Sequence, residues 1–175
     1  MIDLQTVLTY LTLISVPVGV FYHIMTLRNQ SKTRKTQLFM EVYNKFNDTV
    51  EHTQENLAFS YLEFDGYDDF MEKYSRDVNP RMYARLYHTM MFYEGIGLLV
   101  KRGLIDIEMV EDFMSGVIMG FWGKYGPILK EIAVRMDYPT FGEYTEYLYK
   151  QIRPIYERQH GIEGVRRYVP ESADV

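Results

Sequence analysis

The hydrophobic pattern divides the chain near residue 28. From Leu4 to Leu27 run 24 residues without a formal charge, with His23 as the one imidazole among them. About 20 apolar residues rising about 1.5 Å each are enough to cross the hydrocarbon core of a bilayer, so the stretch predicts a single transmembrane helix. Thr6, Thr9, Thr12, Ser15 and Thr26 dilute it, and Pro17 and Gly19 interrupt its middle. Lipid tolerates all of these. Hydroxyls can bond back to a carbonyl one turn earlier, a mid-helix proline kinks a span without forbidding it, and small residues offer a packing surface to a neighbouring helix.

The flanks set a direction. Asp3 is the only charged side chain before the segment, whereas Arg28, Lys32, Arg34 and Lys35 follow it closely. The positive-inside rule then puts the N-terminus outside and everything from Arg28 onward in the cytoplasm, a single-pass arrangement in the cell membrane. The four basic residues would sit at headgroup level, each contributing about 1 kcal/mol toward anionic lipid.

Three other readings compete with the span. A cleavable signal peptide wants a basic n-region and a small-residue cleavage site, but Asp3 is acidic and Val20 to Thr26 is bulky. An interfacial helix needs a charged face, which this segment lacks. In the remaining reading the chain is a soluble all-helical domain with residues 4–27 in its core and the threonines facing polar partners.

Beyond Arg28 the periodicity is helical. Ser31 or Thr33 is placed to cap a helix through Leu38, Phe39, Val42, Tyr43 and Phe46, which recur at three and four. The pattern weakens at Asn47-Asp48 and resumes at Leu57, Ala58, Tyr61 and Leu62, so one long helix or two in line both fit, beginning where the span ends and placed to continue its axis. Asp65-Gly66 marks a turn before a short helix over 67–74. Asn79-Pro80 opens a helix to about Arg102, with Asn at the cap, Pro in the first turn and Gly103 as the stop. Asp106 caps a helix that reaches Trp122 and resumes beyond Gly126-Pro127 toward Arg135. The last helix starts at Pro139-Thr140 with the stripe Phe141, Tyr144, Leu148, Ile152 and Ile155. No segment alternates as a strand does, and no internal repeat is present.

The expected organisation is therefore all-α: a transmembrane anchor over 1–27, a cytoplasmic bundle of about five helices over 28–160, and a flexible polar tail over 161–175. Composition fits an ordered bundle, since 175 residues with sixteen Tyr and ten Phe can bury a real core. With no Cys, disulfides, thiolate metal sites and cysteine nucleophiles are excluded. A net charge of −5 argues against nucleic acid as a partner of the whole domain.

Three placements ask for a reason. Glu94 lies in the apolar run from Met90 to Val100, on the face of Tyr87 and Met90, in a helix apolar on both sides and so expected at the centre of the bundle. A carboxylate there needs a partner or a proton. It is either a functional acid in a ligand site with His88 and Trp122, or half of a buried pair with Arg85 or Arg135; the second is favoured because no second acid or histidine shares the face. Gly116, Gly120 and Gly123 form a strip that lets another helix backbone approach, with a backbone-lined ligand groove as the alternative.

The third placement concerns metals. Of the four histidines, His23, His52, His88 and His160, only His160 completes a Glu-x-x-His unit, with Glu157, and it has no mate for a di-iron bundle. His52 lies on a solvated face between Glu51 and Gln54. No His-Glu-x-x-His occurs, and the eleven methionines sit in apolar stretches where they fill core gaps. There is no nucleophile elbow and no phosphate-cradling loop. Catalytic residues, metals and cofactors are all read as none.

The run Tyr87-His88-Thr89-Met90-Met91-Phe92-Tyr93-Glu94-Gly95-Ile96-Gly97-Leu98-Leu99-Val100-Lys101-Arg102-Gly103-Leu104-Ile105-Asp106 resembles a hairpin of a family of small membrane-anchored helical proteins, domain of unknown function 4760. The stretches from Gly116 through Trp122 to Pro127 and from Phe141 to Tyr147 are similar to it as well. The resemblance implies one span followed by a bundle, makes Glu94 a family feature, and carries over no catalytic residue. The expected role is a non-enzymatic protein-interaction or regulatory module at the cytoplasmic membrane face. Its partners would be the bilayer, a membrane or cytoplasmic protein, or a second copy of itself. The alternative is a small-ligand binder or enzyme with its site around Glu94.

Overall fold

A computed structural model describes residues 3–47 and 61–166. Among the described residues there are five helices and no strand: α1 (Leu4–Asn47), α2 (Gly66–Tyr74), α3 (Pro80–Lys101), α4 (Ile107–Arg135) and α5 (Glu143–Arg166).

α1 runs unbroken for 44 residues through Pro17 and through the point where its chemistry changes. At about 1.5 Å per residue it is roughly 66 Å long. Its hydroxyls turn inward along the helix: Thr12 donates to the Leu8 carbonyl at 2.9 Å, Ser15 to Thr12 at 3.2 Å and Thr26 to Tyr22 at 2.9 Å. The same device continues past the apolar part, with Thr33 donating to Asn29 and Thr36 to Lys32. Ser31 and Thr33 therefore do not cap a new helix. The helix is already propagating when it reaches them, so no orphan N–H groups are left to satisfy. The boundary at residue 28 is a change in surface chemistry within one helix.

The two halves of α1 meet different surroundings. None of the described side chains over residues 4–27 is buried; Phe21 is 66% exposed and Tyr22 71%. This is contrary to the reading that places residues 4–27 in the core of this chain's own bundle. The second half docks on the bundle through Phe39, which is fully buried and stacks near Tyr43, both rings meeting Phe113 of α4 at 5.5 Å. The expected helical stretch over Leu57 and Ala58, and His52, lie outside the described residues.

In the bundle, the local signals at helix ends perform as their chemistry requires. The Asn79 side chain accepts from the Met82 N–H at 3.2 Å, with Pro80 in the first turn. α3 ends on Gly103, whose φ of +67° lets its N–H reach the Val100 carbonyl while Leu104 N–H reaches that of Leu99, both at 2.9 Å. α4 continues through Pro127. Pro127 is solvent-exposed, and the residues on either side of it, Gly126 and Ile128, are buried. Packing on both sides offsets the roughly 3 kcal/mol that an interior proline costs, so the break expected near Gly126-Pro127 does not occur.

α4 carries the largest share of the buried residues, and α5 lies against it. α5 packs closely along both α3 and α4, whereas those two meet through long aromatic side chains such as Tyr93 and Phe121, whose rings lie 5.1 Å apart. The apolar character of α3 on both sides suggested the central position for that helix, but its Tyr87 and Met91 form an exposed edge. α2 covers the other end of the core, inserting Phe70 against Phe64, Tyr74 and Tyr125. Arg135 closes the far end by lying over the Tyr67 ring and pairing with Asp68 and Glu131. Within the tail expected to be loose over 161–175, residues 162–166 are helical after a break at Gly161, with Val165 buried; residues 167–175 lie outside the described residues.

Candidate functional site

Glu94 points from α3 at the start of α5. One carboxylate oxygen accepts from the backbone N–H of Thr145 at 2.6 Å and from its hydroxyl at 2.7 Å. The Thr145 N–H belongs to the first turn of α5, where backbone donors have no partner within the helix and the dipole is positive. Glu94 thus caps a helix 51 residues away in sequence, by the same physics as a local capping carboxylate. The pairing expected with Arg85 or Arg135 is replaced by this contact, and Arg135 is engaged with Asp68 and Glu131 instead.

The cap is possible because α3 has no side chain at Gly97. A Cβ built there would run into the Tyr144 carbonyl group, meeting its carbon at 2.7 Å. Lys101, one turn further, completes the crossing with an ion pair to Glu143 at 3.2 Å and a position 4.9 Å from the centre of the Tyr144 ring. The arrangement holds two helices together and satisfies each polar group in it.

The three residues offered as a ligand site differ in their surroundings. His88 is exposed on α3, Glu94 is half-buried and engaged by Thr145, and Trp122 is buried between α4 and α5. Trp122 lies 6.2 Å from the Tyr149 ring, with its indole against the open side of Gly126. Gly123 is buried and Gly116 and Gly120 are half-buried along α4. A close backbone approach is seen at Gly97 of α3.

Two residues carrying polar contacts are not singled out by sequence reasoning. Thr145 is fully buried, and Glu111 is 3% exposed with Gln159 of α5 donating to it at 3.2 Å. Glu111 falls on the same helical stripe as Met114, Ile118 and Trp122, so its burial is readable from periodicity.

The basic residues after the apolar segment divide by role. Lys35 forms a 2.6 Å ion pair with Asp106, tying α1 to the turn between α3 and α4. Asp106 sits at the N-cap position of α4 but makes no capping hydrogen bond there, because its carboxylate has turned to Lys35. Arg28, Lys32 and Arg34 are exposed. A cleft of about 330 Å³ beside them runs between α1 and the same turn, from Leu27 to Leu104.

The fold and this junction define a class: an all-helical protein with one long helix whose first half is apolar and unburied, and whose second half is basic and docked on a bundle. α1 has the length and composition to cross a membrane over its apolar part. The chain belongs to the family described as domain of unknown function 4760, whose profile matches residues 13–152. Neither a curated protein nor a solved structure matches the chain.

Proposed function

We propose that this is a single-pass membrane protein with its N-terminus outside, whose bundle works at the cytoplasmic face as a protein-interaction or regulatory module. The carrying observation is the exposure of the apolar half of α1, which buries nothing in the bundle and runs directly into Arg28, Lys32, Arg34 and Lys35. An unbroken array of exposed Leu, Ile, Val and aromatic side chains of this length calls for a nonaqueous surrounding. The back-bonded hydroxyls of Thr12, Ser15 and Thr26 suit lipid, where a free polar group is costly.

A cleavable signal peptide fits less well. α1 passes through the junction without a break, and the family match begins at residue 13, inside the apolar segment; both support reading the segment and the bundle as one unit. The interaction role draws support from an aromatic strip on the bundle surface, where Phe141 lies between Tyr87 and Tyr138 at 6.3 and 6.2 Å. Exposed aromatics of this kind are enriched where proteins dock.

Extraction of membranes with alkaline carbonate tests the anchor. The full chain is expected in the pellet, together with lipid, and its release into the supernatant would overturn the proposal.

A further inference from the structure

The cleft between α1 and the α3–α4 turn has a position and a chemistry that point to a second membrane contact. Six of its lining residues are Leu27, Gln30, Arg34, Lys35, Gly103 and Leu104. Leu27 is the last residue of the charge-free segment, and Arg34 is seven residues beyond it, roughly 10 Å along the helix. If Leu27 ends at the hydrocarbon boundary, the Leu27 end of the cleft opens within the polar layer, about 5–8 Å thick in each leaflet, and Arg34 lies at its outer edge, within reach of headgroup phosphates by its long side chain. The turn is held against α1 by the Lys35–Asp106 ion pair and shaped by the hydrogen bonds that fold Gly103 and Leu104 back onto α3.

Among the described residues, the charges near the cleft are unbalanced toward positive. Lys35 is matched by Asp106 and Lys101 by Glu143, and Glu108 is the remaining acid in the first turn of α4. Against it, among the described residues, stand Arg34 in the cleft itself and Arg28, Lys32 and Arg102 adjacent in sequence to residues that line it, all exposed. Leu104 is 49% exposed at the tip of the turn, an apolar side chain beside basic ones. A basic rim around an apolar tip is complementary to the headgroup layer of an anionic leaflet.

We infer that the α3–α4 turn docks on the leaflet that holds α1, with an anionic phospholipid headgroup between Arg34 and Arg102 and the Leu104 side chain in the interface. This rests on the anchored reading of α1 and adds a fixed orientation of the bundle against the membrane. The occupant is a lipid of that leaflet, and a protein bound at the same place is an outcome the test separates.

The natural chain has no cysteine, so single-cysteine variants report one position each. The full-length chain carrying Leu104→Cys, or Val134→Cys at the opposite end of α4, is labelled with an environment-sensitive fluorophore. The labelled chains are placed in bilayers of phosphatidylcholine alone or of equimolar phosphatidylcholine and phosphatidylglycerol. Brominated lipid is expected to quench the label at position 104 in the anionic bilayer and not the label at position 134. Each basic side chain near an anionic surface is worth roughly fivefold in local affinity, so adding Arg34→Gln and Arg102→Gln lowers the docked-to-undocked ratio roughly 30-fold. Both arginines are exposed, and the variant remains carbonate-resistant because α1 is intact.

A label at position 104 as accessible to aqueous quencher as the one at 134, in a chain still resistant to carbonate, would overturn the docking and leave the anchor standing. Equal shielding in both bilayers, unaffected by the arginine variants, would also overturn it and favour a protein at the turn. Release of the unaltered chain by carbonate would overturn both the docking and the anchor.

Discussion

Replacing Gly97 by Ala drives a methyl group into the carbonyl of Tyr144, whose carbon would lie 2.7 Å from the new Cβ and whose own Cβ would lie at 3.0 Å. The obstacle is backbone, so no rotamer change relieves it, and the start of α5 must retreat from α3. Overpacking a well-filled contact costs about 1–3 kcal/mol. The retreat also stretches the 2.6 and 2.7 Å bonds from Thr145 to Glu94, and hydrogen bonds to a charged group are each worth about 1.5–3 kcal/mol. Against this, Ala gains up to about 1 kcal/mol over Gly in a helix. The net loss is about 3 kcal/mol, or roughly 6–12 °C in unfolding midpoint for a chain of this size.

The matched control is Gly95→Ala, two residues away on the same helix, where a Cβ would meet nothing within 4 Å. That variant gains the propensity term alone and is expected to melt at or slightly above the parent. Thermal unfolding of the full chain in mild detergent, followed by circular dichroism at the helical band, reads both. A Gly97→Ala protein as stable as Gly95→Ala would refute the close crossing and, with it, the cap at Glu94.

Two further outcomes follow from the same core. Thr145→Val keeps the shape of a fully buried residue and removes the hydroxyl that donates to Glu94; the loss is about 1–2 kcal/mol, and it is less than additive with Glu94→Ala because the two share one contact. Burial pushes the phenols of Tyr93 and Tyr125 well above their ordinary value of 10.0. The folded state therefore keeps those protons when the unfolded state has lost them, so their contribution is intact below pH 10 and stability falls as pH rises beyond it. An alkaline ultraviolet titration checks this: ionisation of these two phenols is expected only with loss of the helical signal, and their titration near pH 10 in the folded chain would contradict it.

Helix ends are legible in the sequence wherever the residue that satisfies an orphan backbone group is a near neighbour. Asn79 capping Met82 and Gly103 folding back on Val100 are both of this kind. The same reading fails at Ser31 and Thr33, because a capping residue and a mid-helix residue look alike until the upstream segment is known to be helical. It fails at Pro127, where tertiary packing outweighs a local penalty. At Glu94 the need for a partner is legible and the partner is not, since Thr145 is brought by a crossing that depends on Gly97. Asp106 is read as a cap and stands at the cap position, but Lys35, 71 residues earlier, takes its carboxylate. The flanking charges Arg28, Lys32, Arg34 and Lys35 read as one group, and only the fold separates the docked Lys35 from the other three, which are exposed.

The most direct test of the anchored account is topology in intact cells. Asp3→Cys and Val134→Cys lie on opposite sides of the apolar segment, both exposed, in a chain with no other thiol. Acidic flanks contribute little to orientation, so the first substitution leaves the signal in place. A membrane-impermeant maleimide added outside is expected to label the cysteine at position 3 at once and the one at 134 only after permeabilisation. Labelling of both, or of position 134 alone, would contradict a single span with the bundle in the cytoplasm.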